Sequence, residues 1–196
     1  MNLIERAKNM ITTPKTEWLV VDSESSTPAS LLVSYVLPMA IISSLGVLLM
    51  GMLYTGTWGI GYFLLRSIIS FITVMISFYI ASYVVDLLAP NFESEKNINK
   101  SAQLVAYSNT PTWIAGLLFF IPMLGFLILM VGWIYSIYLM YLGMGPLKKT
   151  PEGKKVIYMI VVFLLMVLIG FVVSYILGML FFRPMGYGSY RGFNPW

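Results

Sequence analysis

Few residues in the apolar part of this chain can do chemistry. Arg66 and Asp86 are the only charges within its long hydrophobic stretches, and Tyr107-Ser108-Asn109-Thr110-Pro111 is a concentrated polar run inside a stretch with no charge between Lys100 and Lys148. Pro111 has no N–H and its ring clashes with the carbonyl of Tyr107, so a helix through this run must break. Carbonyls freed by a break, together with the Asn109 and Thr110 side chains, could coordinate a cation or a small polar solute. Asp86-Leu87-Leu88-Ala89-Pro90 has a related logic: Pro90 frees the carbonyl of Asp86 beside its carboxylate, where a cation or a lysine head group could be held. An ordinary helix terminus explains that sequence equally well.

Other chemistries lack their groups. The chain has no histidine and no cysteine. A metalloprotease helix needs two histidines near a glutamate, a serine hydrolase needs a base for its hydroxyl, and aspartyl proteolysis within the membrane needs two carboxylates where only Asp86 is present. No phosphate-binding loop of the G-x-x-x-x-G-K type occurs. A metal site would have to be all-oxygen, which suits Mg²⁺ or Ca²⁺. The expectation is a protein that is not an enzyme and carries neither metal nor cofactor.

The elements that must position these residues are membrane helices. Of 196 residues, 59% are hydrophobic and 10% charged, with a mean hydropathy of +0.84, outside the range of soluble domains. The apolar runs are continuous rather than alternating, which excludes a membrane β-barrel. Residues 31–54, 62–89, 125–145 and 156–182 each suffice for about 30 Å of hydrocarbon. Residues 101–121 make a fifth span of about 31 Å, turning at Pro122-Met123-Leu124-Gly125, with Pro111 at its midpoint. The alternative is a re-entrant or interfacial segment, but the 11 residues from Pro111 to Ile121 are too few to span alone. The prediction is an all-α polytopic protein: residues 1–30 a cytoplasmic interfacial segment, 31–182 a five-helix transmembrane domain, and 183–196 a short external tail.

Before the first span, Leu3, Ile4, Ala7, Met10 and Ile11 recur at helical spacing opposite Glu5, Arg6, Lys8 and Asn9, which predicts a short interfacial helix stopped at Thr13-Pro14. Ser23 to Pro28 reads as a polar linker. Tyr54, Trp58 and Tyr62 form an aromatic belt around a turn. With the N-terminus inside, nine Lys and Arg fall on the cytoplasmic side and three on the other, so the C-terminus is expected outside. Lys148, Lys149, Lys154 and Lys155 read as a lipid-facing basic loop, each worth about 1 kcal/mol beside an anionic leaflet. Arg66 and Asp86, about 30 Å apart on one helix, cannot pair with each other and read by default as snorkelling groups. Ser70, Thr73, Ser77 and Ala81, Gly132 and Ser136, and Gly170, Ser174 and Gly178 read as close-packing stripes. The lone Arg191-Gly192 gives no reason to expect nucleic acid.

Pro14-Lys15-Thr16-Glu17-Trp18, Tyr35-Val36-Leu37-Pro38, Asp86 to Pro90 and Tyr107 to Pro111, in that order, resemble the Yip (Ypt/Rab-interacting) membrane protein family, particularly its bacterial branch. The resemblance runs from about Leu3 to Phe182. Tyr107-x-x-x-Pro111 is similar to the family's Gly-Tyr-x-x-x-Pro element, with Ala106 in place of the glycine. Asp86 to Pro90 loosely matches its Asp-Leu-x-Gly-Pro element, with Ala89 in place of the glycine. The resemblance implies five spans with a cytoplasmic N-terminus, in a bacterial inner membrane if the branch holds. Eukaryotic members act in vesicle traffic by binding small GTPases and shaping membranes; the long N-terminal region of many such members has no counterpart in residues 1–30, and GTPase binding is not carried over.

Two functions are therefore expected. The first is a membrane scaffold, organising or trafficking-like role through contacts with lipids, anionic ones included, with a membrane protein partner or with further copies of itself. The second is a small-solute or cation transporter or channel using the broken third helix.

Overall fold

The computed structural model describes residues 2–53 and 59–182, and all regular structure among them is helical. Helix α1 (Leu3–Thr12) starts at Asn2, whose side chain accepts from the Ile4 amide. Its successor α2 (Pro14–Ser23) has Pro14 in its first turn, where a missing N–H costs nothing. The sequence predicts one helix here and treats Thr13-Pro14 as a stop. Pro14 is equally a start, and the result is a helical hairpin. The anticipated linker is confined to residues 24–27.

Among the described residues, four helices are long and apolar enough to cross a membrane: α3 (Pro28–Leu53), α4 (Gly59–Leu88, continued by the 3-10 turn Ala89–Phe92), α7 (Leu124–Lys148) and α8 (Glu152–Phe182). The chain is an all-α polytopic membrane protein. Near its start α3 widens so that the Leu37 amide reaches back to the Leu32 carbonyl, a π-bulge that accommodates the missing donor of Pro38. The 31 residues of α8 make about 46 Å, well beyond the ~30 Å of a bilayer core.

The fifth apolar segment forms two shorter helices, α5 (Ile98–Ser108) and α6 (Thr110–Leu117), followed by the 3-10 turn Leu118–Phe120. Together they run antiparallel to α7 along its length. Ser101 meets Lys148, Leu104 meets Gly143, Thr112 bonds Ser136, Pro111 packs on Gly132, and Gly125 lies on the carbonyls of Leu118 and Phe119. All of Ser101 to Ser108 is buried, which makes α5 the centre of the bundle. The aromatic turn around residues 54–58 and the tail 183–196, with Arg183 and Arg191, lie outside the described residues.

Among the small-residue stripes, Gly132 does allow close approach: a Cβ there would stand 2.8 Å from the Ala115 Cβ and 3.0 Å from the Pro111 carbonyl. Gly170 and Gly178 do not. A Cβ at Gly170 would meet nothing within 4 Å, and one at Gly178 would touch only the Phe182 ring of its own helix. The tightest crossing is one the stripes omit, α3 against α6, where a Cβ on Gly46 would overlap the Gly116 carbonyl oxygen.

Candidate functional site

The break falls where Pro111 demands it. Helix α5 ends at Ser108, Asn109 adopts φ −83° and ψ −3°, and α6 begins at Thr110 with Pro111 in its first turn. The polar residues of the run serve the carbonyls around the break. Ser108 Oγ donates to Leu104 O at 2.6 Å, Asn109 Nδ2 to Val105 O at 2.8 Å, and Thr110 Oγ1 to Tyr107 O at 2.8 Å. Because Thr110 gives its one proton to Tyr107 O, it accepts from Tyr35 Oη, 2.7 Å away on α3. The relay Tyr35 to Thr110 to the Tyr107 carbonyl ties α3 to the break. A cation would have to displace these donors.

Tyr107 holds the other side. Its ring meets Tyr35 edge-on at 4.8 Å between centroids and Trp18 at 6.4 Å, and the Arg6 guanidinium lies over it at 5.2 Å. Arg6 is only 4% exposed. It donates to Glu17 at 2.5 Å and to Glu24, while Asn9 Nδ2 donates to the second oxygen of Glu17 at 3.1 Å. A buried guanidinium needs this pairing, since an unpaired one would carry a desolvation penalty of several kcal/mol. The α1–α2 hairpin is thus clamped on the break by charge and aromatic contact. Tyr135 Oη adds a hydrogen bond to Ile11 O at 2.6 Å. Lys100 Nζ donates to the Asp22, Val21 and Glu24 carbonyls and pairs with the Asp22 carboxylate at 3.3 Å.

Asp86 finds its partner across the bundle. Lys148 Nζ lies 3.4 Å from Asp86 Oδ1 and 2.7 Å from Ser101 Oγ, and Ser101 Oγ lies 3.1 Å from the same carboxylate oxygen. The sequence allowed a lysine head group at Asp86, and Lys148 supplies it; the snorkelling default does not describe Asp86. Arg66 meets Ser174 Oγ at 3.3 Å. Pro90 sits exposed in the 3-10 turn that ends α4, clear of this cluster. Ser101 beside Lys148 is the nucleophile and base pairing that sequence reasoning missed, since 47 positions separate them. The geometry is wrong for catalysis: both residues are fully buried, and the lysine donates to the hydroxyl while pairing with Asp86 instead of accepting its proton.

Of the four lysines expected to form a lipid-facing loop, Lys148 departs from that reading, while the side chains of Lys149 and Lys154 stay 57% and 41% exposed. Lys148 is wholly buried. Lys149 pairs with Asp22 at 2.9 Å, Lys154 with Glu93 at 2.5 Å, and Lys155 with Glu152 while lying over the Tyr141 ring at 5.9 Å. Hydrogen bonds from Lys149 and Lys100 outweigh the upward push of burial on Asp22 and hold its carboxyl below its usual value of 3.8. Lysines 8 and 15, on the hairpin, are exposed and have no acidic partner among the described residues. Beside them Ile4 is 72% and Leu19 62% exposed. A cation-bearing apolar surface therefore exists, but on the hairpin.

Two of the cavities that adjoin the break have polar residues of the run in their walls. One, of about 420 Å³, reaches Asn109 between α4, α7 and α8. Its wall is mainly apolar, with Phe78, Trp113, Met140 and Phe163 prominent; Thr73, Ser77, Thr112 and Ser136 are polar and none of the lining residues is charged. The Thr73 and Ser77 hydroxyls make no hydrogen bond among the described residues. The other, of about 350 Å³, opens between the hairpin and α3 and is lined by Arg6, Glu24, Ser25, Ser26, Tyr35 and Tyr107 among others. Among the described residues no three His, Cys, Asp or Glu side chains come together in a way that could hold a metal ion.

A family model, the Yip1 domain, matches residues 8–174. No curated protein and no solved structure matches the chain. The matched span contains Glu17 and Glu24 of the hairpin clamp, whose Arg6 precedes it, together with the Asp86–Lys148 pair and the break at Pro111, and the chain belongs to the Yip1-domain family.

Proposed function

We propose that this protein is a non-enzymatic, five-span membrane organiser that acts through its lipid-facing and partner-facing outer surface, with the N-terminus in the cytoplasm and the C-terminus outside. The observation that carries the reading is that polar chemistry in the interior is internally satisfied at the two places where function would be sought. The carbonyls of Leu104, Val105 and Tyr107 are capped by the run's own side chains, and Asp86 is neutralised by Lys148. What remains available is outside: an apolar belt, and a hairpin that adds Ile4, Ile11, Leu19 and Val20 beside Lys8 and Lys15. Such a surface lies in a bilayer interface and prefers an anionic leaflet. The fifth span is supported by the antiparallel register of α5 and α6 along the whole of α7. A bacterial inner membrane is the location that the sequence resemblance favours.

The test is crosslinking in native membranes followed by purification with lipid analysis. The reading expects recovery of a partner or a further copy, together with lipid enrichment relative to the bulk membrane. A lone monomer with bulk lipid composition would overturn it. A second reading, a path for a small solute or cation, rests on the cavity that reaches Asn109. Its apolar wall and uncharged lining favour a lipid chain over an aqueous path. Flux in proteoliposomes that is lost in Asn109→Leu, with folding retained, would establish this second reading.

A further inference from the structure

We propose that the cavity between the hairpin and α3 is a binding site for the headgroup of a phospholipid bearing a primary ammonium, a lipid partner for the membrane-organising role proposed above. The site rests on that reading and names its ligand.

The electrostatics choose a cation. Arg6, Glu17 and Glu24 form one cluster with two carboxylates against one guanidinium. Arg6 is occupied: its two terminal nitrogens hold one carboxylate each and its face lies on Tyr107. Glu17 is sealed, its side chain 5% exposed, and takes a further hydrogen bond from Asn9. Glu24, by contrast, lines the cavity with its side chain 32% exposed. One Glu24 oxygen accepts from Arg6, and the other takes no hydrogen bond among the described residues. Lys100 is turned to the Asp22 carboxylate, which it shares with Lys149, and to backbone carbonyls, and makes no bond to the Glu24 carboxylate.

Hydroxyls complete the acceptor set. Tyr107, 5% exposed, lines the cavity with Ser25 and Ser26, and none of the three hydroxyls makes a hydrogen bond among the described residues. An ammonium with three N–H donors needs one carboxylate and neutral oxygens around it, which is what these residues offer. A trimethylated ammonium has no N–H and cannot make these bonds.

The position favours a lipid as the carrier of that group. The cavity lies at the start of α3, walled by Leu3 and Leu31 on its apolar side. Val33 (67% exposed) and Ile4 (72% exposed) are the chain neighbours of the lining residues Ser34 and Leu3, an apolar surface along which acyl chains can run while the headgroup enters.

The full-length protein is placed in nanodiscs of phosphatidylcholine doped with phosphatidylethanolamine or phosphatidylglycerol, and bound lipid is counted by native mass spectrometry. Phosphatidylethanolamine should be retained about tenfold over phosphatidylcholine, the worth of one hydrogen bond to a charged group. Glu24→Gln, which leaves Arg6 paired with Glu17, should abolish that preference, and Tyr107→Phe should weaken it. Free ethanolamine competing in the wild type would assign recognition to the ammonium alone; failure to compete with selectivity intact would assign it to the whole lipid. Equal retention of the ethanolamine and choline lipids by the wild type, a result that needs no variant to fold, would overturn the site. Selective retention of phosphatidylglycerol would overturn the site and leave the organising role standing. No selective lipid and no crosslinked partner would overturn both.

Discussion

Lys148 carries the sharpest energetic consequence in the structure. It is a lysine with no exposed surface, 3.4 Å from Asp86 Oδ1 and 2.7 Å from Ser101 Oγ, and the Asp86 side chain is only 12% exposed. Replacing it by methionine keeps an unbranched side chain only one atom shorter and removes its charge, leaving the Asp86 carboxylate buried with one hydroxyl donor. Breaking a buried pair on one side costs about 3–5 kcal/mol, because the remaining charge is uncompensated. Lys148→Met should therefore lower the midpoint of thermal unfolding in detergent or nanodiscs by roughly 10 °C for a chain of this size. Asp86→Asn alone strands the lysine and should be similarly damaging. The double variant Asp86→Asn/Lys148→Met strands no charge and should recover most of the loss, since an apolar replacement of a buried pair is often near neutral. The cycle then gives a favourable coupling well above the ~0.5 kcal/mol expected of independent sites. A Lys148→Met midpoint within about 1 °C of wild type, or a double variant that is no better than the singles, would mean that water reaches the pair and that the burial argument is wrong.

Three further outcomes follow from particular contacts. Thr110→Val cuts the relay from Tyr35 and uncaps the Tyr107 carbonyl, and should cost about 1–3 kcal/mol by thermal unfolding. Gly46→Val drives a side chain into the Gly116 carbonyl and should destabilise the α3–α6 crossing by at least about 1–3 kcal/mol, where Gly170→Ala, open on every side, should change little. Asp22 titrates below its usual value in the folded protein, so its stabilising pairs with Lys100 and Lys149 are complete above the unfolded value of 3.8 and are lost as pH falls through the lower folded one. Hydrogen exchange across Pro14–Ser23 should accelerate below about pH 4, and Asp22→Asn should make it faster at neutral pH and insensitive to that acid step.

The break was legible because it is written in covalent chemistry. Pro111 has no N–H wherever it stands, and Ser108, Asn109 and Thr110 are short side chains that bond nearby carbonyls. The four long apolar helices were legible for a similar reason, since continuous hydrophobicity over 25 or more residues has few other solutions. Partnership was not legible. Lys148 stands beside Lys149 in a basic loop and looks like its neighbour, but Asp86, 62 positions away, draws it inward. Arg6 lies on what reads as the polar face of α1, yet Glu17 on the next helix makes burial of that face tolerable. Gly170 and Gly178 have the spacing of a packing seam, and spacing fixes a face of a helix without saying what stands opposite. Gly46 and Gly116 form the real seam, and each is isolated in its own segment.

The account stands on the claim that the polar run is a closed structural joint and that function resides on the outer surface. The chain has no cysteine, so single cysteines can be introduced at Asn109, at Met123 (86% exposed in the turn before α7) and at Lys15 on the hairpin. In native membranes treated from either side with an impermeant, charged thiol reagent, Lys15→Cys should label from the cytoplasmic side only and Met123→Cys from the external side only. Asn109→Cys should stay unlabelled from both. Labelling at position 109 from either side, in a protein that remains folded, would contradict the claim by revealing a water path to the break.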